Sequence, residues 1–174
     1  MANSRPVQVR VNNANLAGAG NPQYGSYAHN EEVASEFAAR HFPTDSGGNL
    51  YRGIRIDSGT LQYANLTYLG PTKESCLSAN NCYRGLYFKQ NNISEDNWDD
   101  LIHLCDVLSN TGAAQYTAAV TNVLDVSEAL LYFAVNTLVD NNETSLSNGN
   151  GDDYAMYRRA SDGRFLILPY DNDT

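Results

Sequence analysis

The stretch Asn148–Thr174, NGNGDDYAMYRRASDGRFLILPYDNDT, has the pattern strand, tight turn, strand, acids. Tyr154, Met156 and Tyr157 lead toward Asp162-Gly163, a dipeptide that signals a two-residue hairpin. Phe165, Leu166, Ile167 and Leu168 have the length and composition of a short buried strand. Pro169 has no N–H to give and stops the ladder. Asp171 and Asp173 follow at once, so their carboxylates are expected just past a buried strand end. Asp152 and Asp153 stand at the start of the other strand. An antiparallel hairpin brings its open ends together, and four carboxylates gathered there suit a hard divalent cation, which takes oxygen ligands. For any one of these acids alone, a solvated loop rich in Asp and Asn is the simpler account.

The rest of the chain bounds what that hairpin belongs to. At 174 residues it suits one domain, residues 1–174, with a real core. Hydrophobic residues make up 42% and charged residues 18%, a globular rather than a disordered balance. The formal net charge of −9 argues against nucleic acid and anionic membranes as partners, since both need clustered Lys and Arg. It fits a protein that binds cations or a basic substrate. No apolar stretch is long enough to span a membrane, and no signal peptide is present. A mature secreted protein, or a piece of one, fits these features. Cys76 and Cys82 lie close together in a polar loop and can close a small disulfide ring, whereas Cys105 falls in an apolar helical pattern as a buried thiol. No CxxC pair points to zinc. The Asn-x-Ser/Thr triplets at Asn65, Asn92 and Asn142 matter only if a eukaryote secretes the chain.

Read in order, Val7, Val9 and Val11 alternate as a half-buried strand, with Gln23–Ala28 as its return. A helix is expected over Glu31–His41, capped by Asn30, then strands over Asn49–Ile56 and Tyr83–Lys89. Ser94–Leu108 carries Trp98, Leu101, Ile102, Cys105 and Leu108 at helical spacing. Tyr116–Leu124 is a shorter helix, and Asp125 with Glu128 starts another that runs to about Asp140. That last helix is apolar nearly all round, so it is expected to be the central buried one. Strands, helix, strands, helices and hairpin in this order give an α+β fold with antiparallel strands.

No phosphate loop of the GxxxxGK[ST] kind, no GxGxxG, HExxH or GxSxG occurs, and His29, His41 and His103 have no metal spacing. What remains is an acid cluster, a lysine at a strand end, an arginine on a strand and an acidic pair. Phosphoryl transfer from ATP needs such parts: carboxylates to hold metal ions, a cation on the phosphates, and an acid to orient the cation or take the hydroxyl proton. Asp171 and Asp173 are the candidate metal ligands, with Asp153 or Glu143 as second ligand or base. Lys89 or Arg52 is placed to reach phosphates, and Glu32 to pair with one of them. Taken singly, each cation is more often a surface residue.

These residues carry a resemblance to the spore-coat CotH-type family of atypical protein kinases. It runs through VRVNN (9–13), YGSYAHNEE (24–32), NLYRG (49–53), YFKQNN (87–92), DNWDDLIHL (96–104), LLYFAVNTLVDN (130–141) and GDDYAMYR (151–158), and ends with GRFLILPYDNDT (163–174). The resemblance implies an atypical kinase-like fold that binds ATP with Mg²⁺ or Mn²⁺ and phosphorylates Ser or Thr of a surface or secreted protein, in an extracellular or spore-surface setting. It implies metal binding by Asp171 and Asp173. Asp153 falls where the family places an Asn. The catalytic acid falls at Glu143 or Asp152. Arg52 takes the place of a common Lys, which puts its phosphate contact in question. Lys89 matches the pattern of the later strand, and Glu32 matches the acidic residue that ends the hairpin; both are cofactor-binding positions by this resemblance. The chain stops at Thr174, directly after the turn, where family domains continue, so a fragment, a minimal version and a repurposed pseudokinase are all readings of it. A further alternative is a non-catalytic extracellular module that binds Ca²⁺ for structure or adhesion, weakened by the lack of a twelve-residue EF-hand spacing.

Overall fold

The runs YAMYR and FLILP are apolar at almost every position because both faces of the sheet they join are covered. The computed structural model of the chain describes residues 3–7, 10–11, 14–15, 27–57, 59–141 and 146–170. In chain order these form β1 (Ser4–Val7), β2 (Arg10–Val11), β3 (Ala14–Asn15), β4 (Tyr27–Asn30), α1 (Ser35–His41), β5 (Asn49–Gly53), β6 (Arg55–Asp57), β7 (Leu61–Tyr63), β8 (Cys76–Ser78) and β9 (Asn81–Cys82). There follow α2 (Tyr83–Leu86), β10 (Tyr87–Lys89), α3 (Asp99–Asn110), α4 (Ala113–Val123), α5 (Val126–Leu138), β11 (Tyr154–Arg158) and β12 (Phe165–Pro169). The fold is α+β, and every strand pair is antiparallel.

A four-stranded sheet in the order β10-β5-β11-β12 is the centre. Its side chains alternate between two cores, as the period of a strand requires. Tyr51, Tyr154, Met156, Phe165 and Ile167 join the larger core with Leu101, Leu104 and Cys105 of α3. Leu50, Ala155, Tyr157 and Leu166 join the smaller one, closed by Val33 and by Phe37 and Ala38 of α1. Burying a side chain of this size contributes about 1.5–3 kcal/mol. A polar knot crosses the larger core: Asp100 accepts from Tyr51 Oη at 2.6 Å and Asn49 Nδ2 at 2.7 Å, tying β5 to the first turn of α3. Outside the sheet, the described residues form four two-stranded pairs, among them β1 with β4, and β8 with β9, which the Cys76–Cys82 disulfide closes.

Several elements depart from the sequence reading. The all-apolar helix, α5, is not the central one. Its Leu130, Leu131 and Leu138 are 63%, 57% and 85% exposed, and only Ala129, Tyr132 and Asn136 are buried. An apolar composition on every side cannot say which side is covered, and α5 packs through one stripe against β12. The buried helix is α3, whose Leu101, Leu104 and Cys105 are fully enclosed. It starts at Asp99, not Ser94, because Asp96 turns away to accept hydrogen bonds from Lys73, Arg84 and the Trp98 indole. The helix α1 likewise starts at Ser35 rather than Glu31. Glu31 is held instead by the Asn3 N–H, Arg40 and His41, which draw its carboxyl down to about 2, the His41 bond contributing most. The strand expected over Asn49–Ile56 breaks at Ile54, after which β6 leaves the sheet to pair with β7. Tyr83–Leu86 is a helical turn feeding β10. Asp162-Gly163 does not form a two-residue turn. Arg159 N–H donates to Arg164 O, leaving a four-residue tip in which Gly163, at φ +75, takes the left-handed place.

Candidate functional site

Register decides which of the expected site residues meet. Tyr154 lies opposite Pro169 on one side and Gly53 on the other. Asp153 and Tyr170 are the residues next beyond that last laddered pair, and Arg52 stands one residue back on β5. Arg52 Nη2 lies 3.5 Å from Asp153 Oδ1, and its guanidinium stacks 4.2 Å above the centre of the Tyr170 ring. Arg52 Nε is buried without a hydrogen-bond partner among the described residues. Asp153 sits at φ +47, a left-handed conformation that Asp tolerates better than most side chains and that recurs at functional sites. Arg52 and Asp153 thus share the sheet end from which the chain runs, through Tyr170, into Asp171 and Asp173.

Asp152 has a different job. Its side chain is 7% exposed, its Oδ1 accepts the backbone N–H groups of Arg55 and Asp153, and its Oδ2 lies 3.5 Å from Arg55 Nε. It fastens the start of β11 to β6. The residue before it is gripped as firmly: Ala64 N–H donates to Gly151 O at 2.7 Å, and Gly151 N–H donates to Asn65 Oδ1 at 2.7 Å. Tyr154 Oη closes the same clasp by donating to Ala64 O. Sequence reasoning missed this clasp, because nothing in the spacing of Ala64, Asn65 and Gly151 marks a contact 86 residues apart.

Lys89 is not brought to this site. It lies opposite Tyr51 on β5, one position from Arg52, and so faces the other side of the sheet. Its Nζ donates to Tyr51 Oη at 3.2 Å and to Asn97 O at 2.8 Å, and burial pushes the ammonium below the ordinary lysine range. Glu32 is exposed and borders a cleft of about 440 Å³ with Phe88, Lys89 and Trp98, and it forms no ion pair among the described residues. The acid that is paired is its neighbour Glu31. Glu143, Asp171 and Asp173 lie outside the described residues. Among the described residues, no group of three or more His, Cys, Asp or Glu is placed to hold a metal ion.

The geometry defines an α+β domain with an arginine and a carboxylate facing each other at one end of a sheet covered on both sides. The comparison with protein families then places it: the model described as CotH kinase protein matches residues 1–174, and the chain belongs to the CotH kinase family. No curated protein matches the chain. Among the described residues, no helix is long and apolar enough to cross a membrane.

Proposed function

We propose that this domain is a kinase-like phosphotransferase that moves the terminal phosphoryl group of ATP, with Mg²⁺ or Mn²⁺, to Ser or Thr hydroxyls of a surface or secreted protein. Membership of the CotH kinase family supports the reaction class. The observation that supports the site is Arg52: a guanidinium braced on Tyr170, beside Asp153, with a buried Nε that has no acceptor among the described residues. A planar cation with donors to spare fits phosphate oxygens, which it takes in pairs. Asp153, with Asp171 and Asp173 further along the chain, would supply the oxygen ligands a hard divalent cation needs. Such a cation would neutralise charge on the transferred group. Asp152 is spent on backbone N–H groups, so the proton of the attacking hydroxyl is assigned to Glu143. Lys89 supports the sheet from the opposite face, and Glu32 borders the cleft beside β10.

A thermal-shift titration with ATP, Mn²⁺ and Ca²⁺, singly and together, tests this reading, since a ligand of the folded state raises Tm. The expected shift needs ATP and Mn²⁺ together. It is expected to vanish in Arg52→Ala, with the unliganded Tm nearly unchanged, because the side chain is partly exposed and its 3.5 Å ion pair with Asp153 contributes about 1 kcal/mol or less. A shift with Ca²⁺ alone, indifferent to ATP, overturns it in favour of a calcium-binding module.

A further inference from the structure

The Asn-x-Ser/Thr triplets at Asn65 and Asn92 are not equivalent in the folded chain. We propose that Asn65 is the acceptor of an N-linked oligosaccharide when the chain folds in a eukaryotic secretory compartment, and that Asn92 is not. Asn65 is exposed just past β7. Its Oδ1 is fixed by the Gly151 N–H at 2.7 Å, while its Nδ2 makes no hydrogen bond among the described residues. Thr67 is exposed too. Between them, Leu66 is 7% exposed and donates its N–H to Tyr87 Oη at 2.8 Å. The middle residue anchors the triplet, and the two residues that define it face solvent.

The chemistry spares the anchor. The transferase joins Asn65 Nδ2 to C1 of the first sugar of a lipid-linked oligosaccharyl pyrophosphate. The N–C1 bond forms, the C1–O bond to pyrophosphate breaks, and the lipid pyrophosphate leaves. The amide gives one proton to a base and keeps its carbonyl oxygen and one N–H. The bond from Gly151 N–H to Oδ1 therefore survives glycosylation, and the sugar extends from the outer side of the clasp that holds Gly151.

Asn92 is built the other way round. It is half-buried at φ +49, and its Nδ2 points at Gly47 O (3.4 Å), Gly48 O (3.3 Å) and Asn49 Oδ1 (3.0 Å). A sugar on that nitrogen displaces the backbone that leads into β5, so a chain modified there does not reach this fold. Asn142 and Asn172, the acceptors of the other two triplets, lie outside the described residues. The compartment has its own support: the Cys76–Cys82 disulfide belongs to oxidising surroundings, where such acceptors are used.

The proposal does not rest on phosphoryl transfer. It is tested by secreting the full chain from a eukaryotic cell, isolating the folded fraction and removing N-glycans enzymatically in heavy-oxygen water, which marks each former glycan site as labelled Asp. Peptide mass spectrometry is expected to find the label at Asn65 and none at Asn92. Thr67→Ala, which removes the acceptor signal but leaves the bond from Gly151 N–H to Asn65, is expected to lose the mass of one oligosaccharide with Tm measured after deglycosylation unchanged. Unlabelled Asn65, labelled Asn92 in folded protein, or the same glycan count in Thr67→Ala overturns it.

Discussion

At Gly151 two chain segments approach more closely than any side chain allows. A Cβ there would lie 2.2 Å from Ala64 O and 2.7 Å from Asn65 Oδ1, both of them held in hydrogen bonds. Gly151→Ala must therefore push the segment off β7's exit, and overpacking of this kind costs about 1–3 kcal/mol. Urea unfolding is expected to show that loss as a lower midpoint with an unchanged slope. Asn65→Ala removes the acceptor without adding bulk, leaves the Gly151 N–H unpaired, and is expected to cost about 1–3 kcal/mol on the same assay. An Asn65→Ala protein as stable as the parent would show that the clasp is incidental. The two variants also bear on Asp153, two residues on, whose left-handed backbone depends on what precedes it. Arg52 shows the opposite logic at the same scale: its partners are a carboxylate 3.5 Å away and a ring, so its removal is expected to be felt by ligands and hardly by the fold.

Among elements, periodic apolar residues located α3, α4 and α5 to within a few residues, because the 3.6-residue repeat is local. What the repeat does not contain is the partner. The run ALLYFAV offers an apolar side in every direction, and the decision to bury Tyr132 while exposing Leu130 and Leu131 is made by β12. A pair of substitutions separates the two helices. Leu104→Ala in α3 is expected to cost about 2–5 kcal/mol. Leu138→Ala in α5, at a position 85% exposed, is expected to stay within about 0.5 kcal/mol. Equal losses would return α5 to the centre of the core. The junction of α1 with β1 and β4 answers to pH instead. Glu31 has its carboxyl lowered from 4.5 to about 2 by His41 and Asn3, with Arg40 adding to them. A carboxyl lowered by folding contributes stability above its unfolded value, and that contribution is lost as pH falls from about 4.5 toward about 2. Glu31→Gln is expected to be less stable than the parent at neutral pH and to lose less between pH 5 and 2, read from Tm at each pH.

Across the whole molecule, one sheet separates two cores, and that arrangement explains which parts of the candidate site were legible. The hairpin β11–β12 was visible in the sequence, since its two apolar runs and Pro169 all lie within one stretch. The face each cation uses was not, because it depends on register between β10 and β5, segments more than thirty residues apart: Phe88 falls opposite Arg52, and Lys89 is thereby sent to the other core. The cysteines divide along the same lines. Cys76 and Cys82 join β8 to β9 at the periphery, while Cys105 is enclosed in the larger core, where burial pushes its thiol up to about 12. Loop closure across a separation of six residues is worth about 2 kcal/mol in the chain-entropy account, so reduction is expected to lower stability by that much without opening the core. Alkylation at pH 8 in the presence of reductant is then expected to modify Cys76 and Cys82 quickly. Cys105 is expected to react only when the whole domain opens, with denaturant accelerating it along the global unfolding curve. Should Cys105 be alkylated as fast as the other two, the large core would open locally around α3, and the sheet end that positions Arg52 and Asp153 would lose the rigid support a phosphate site requires.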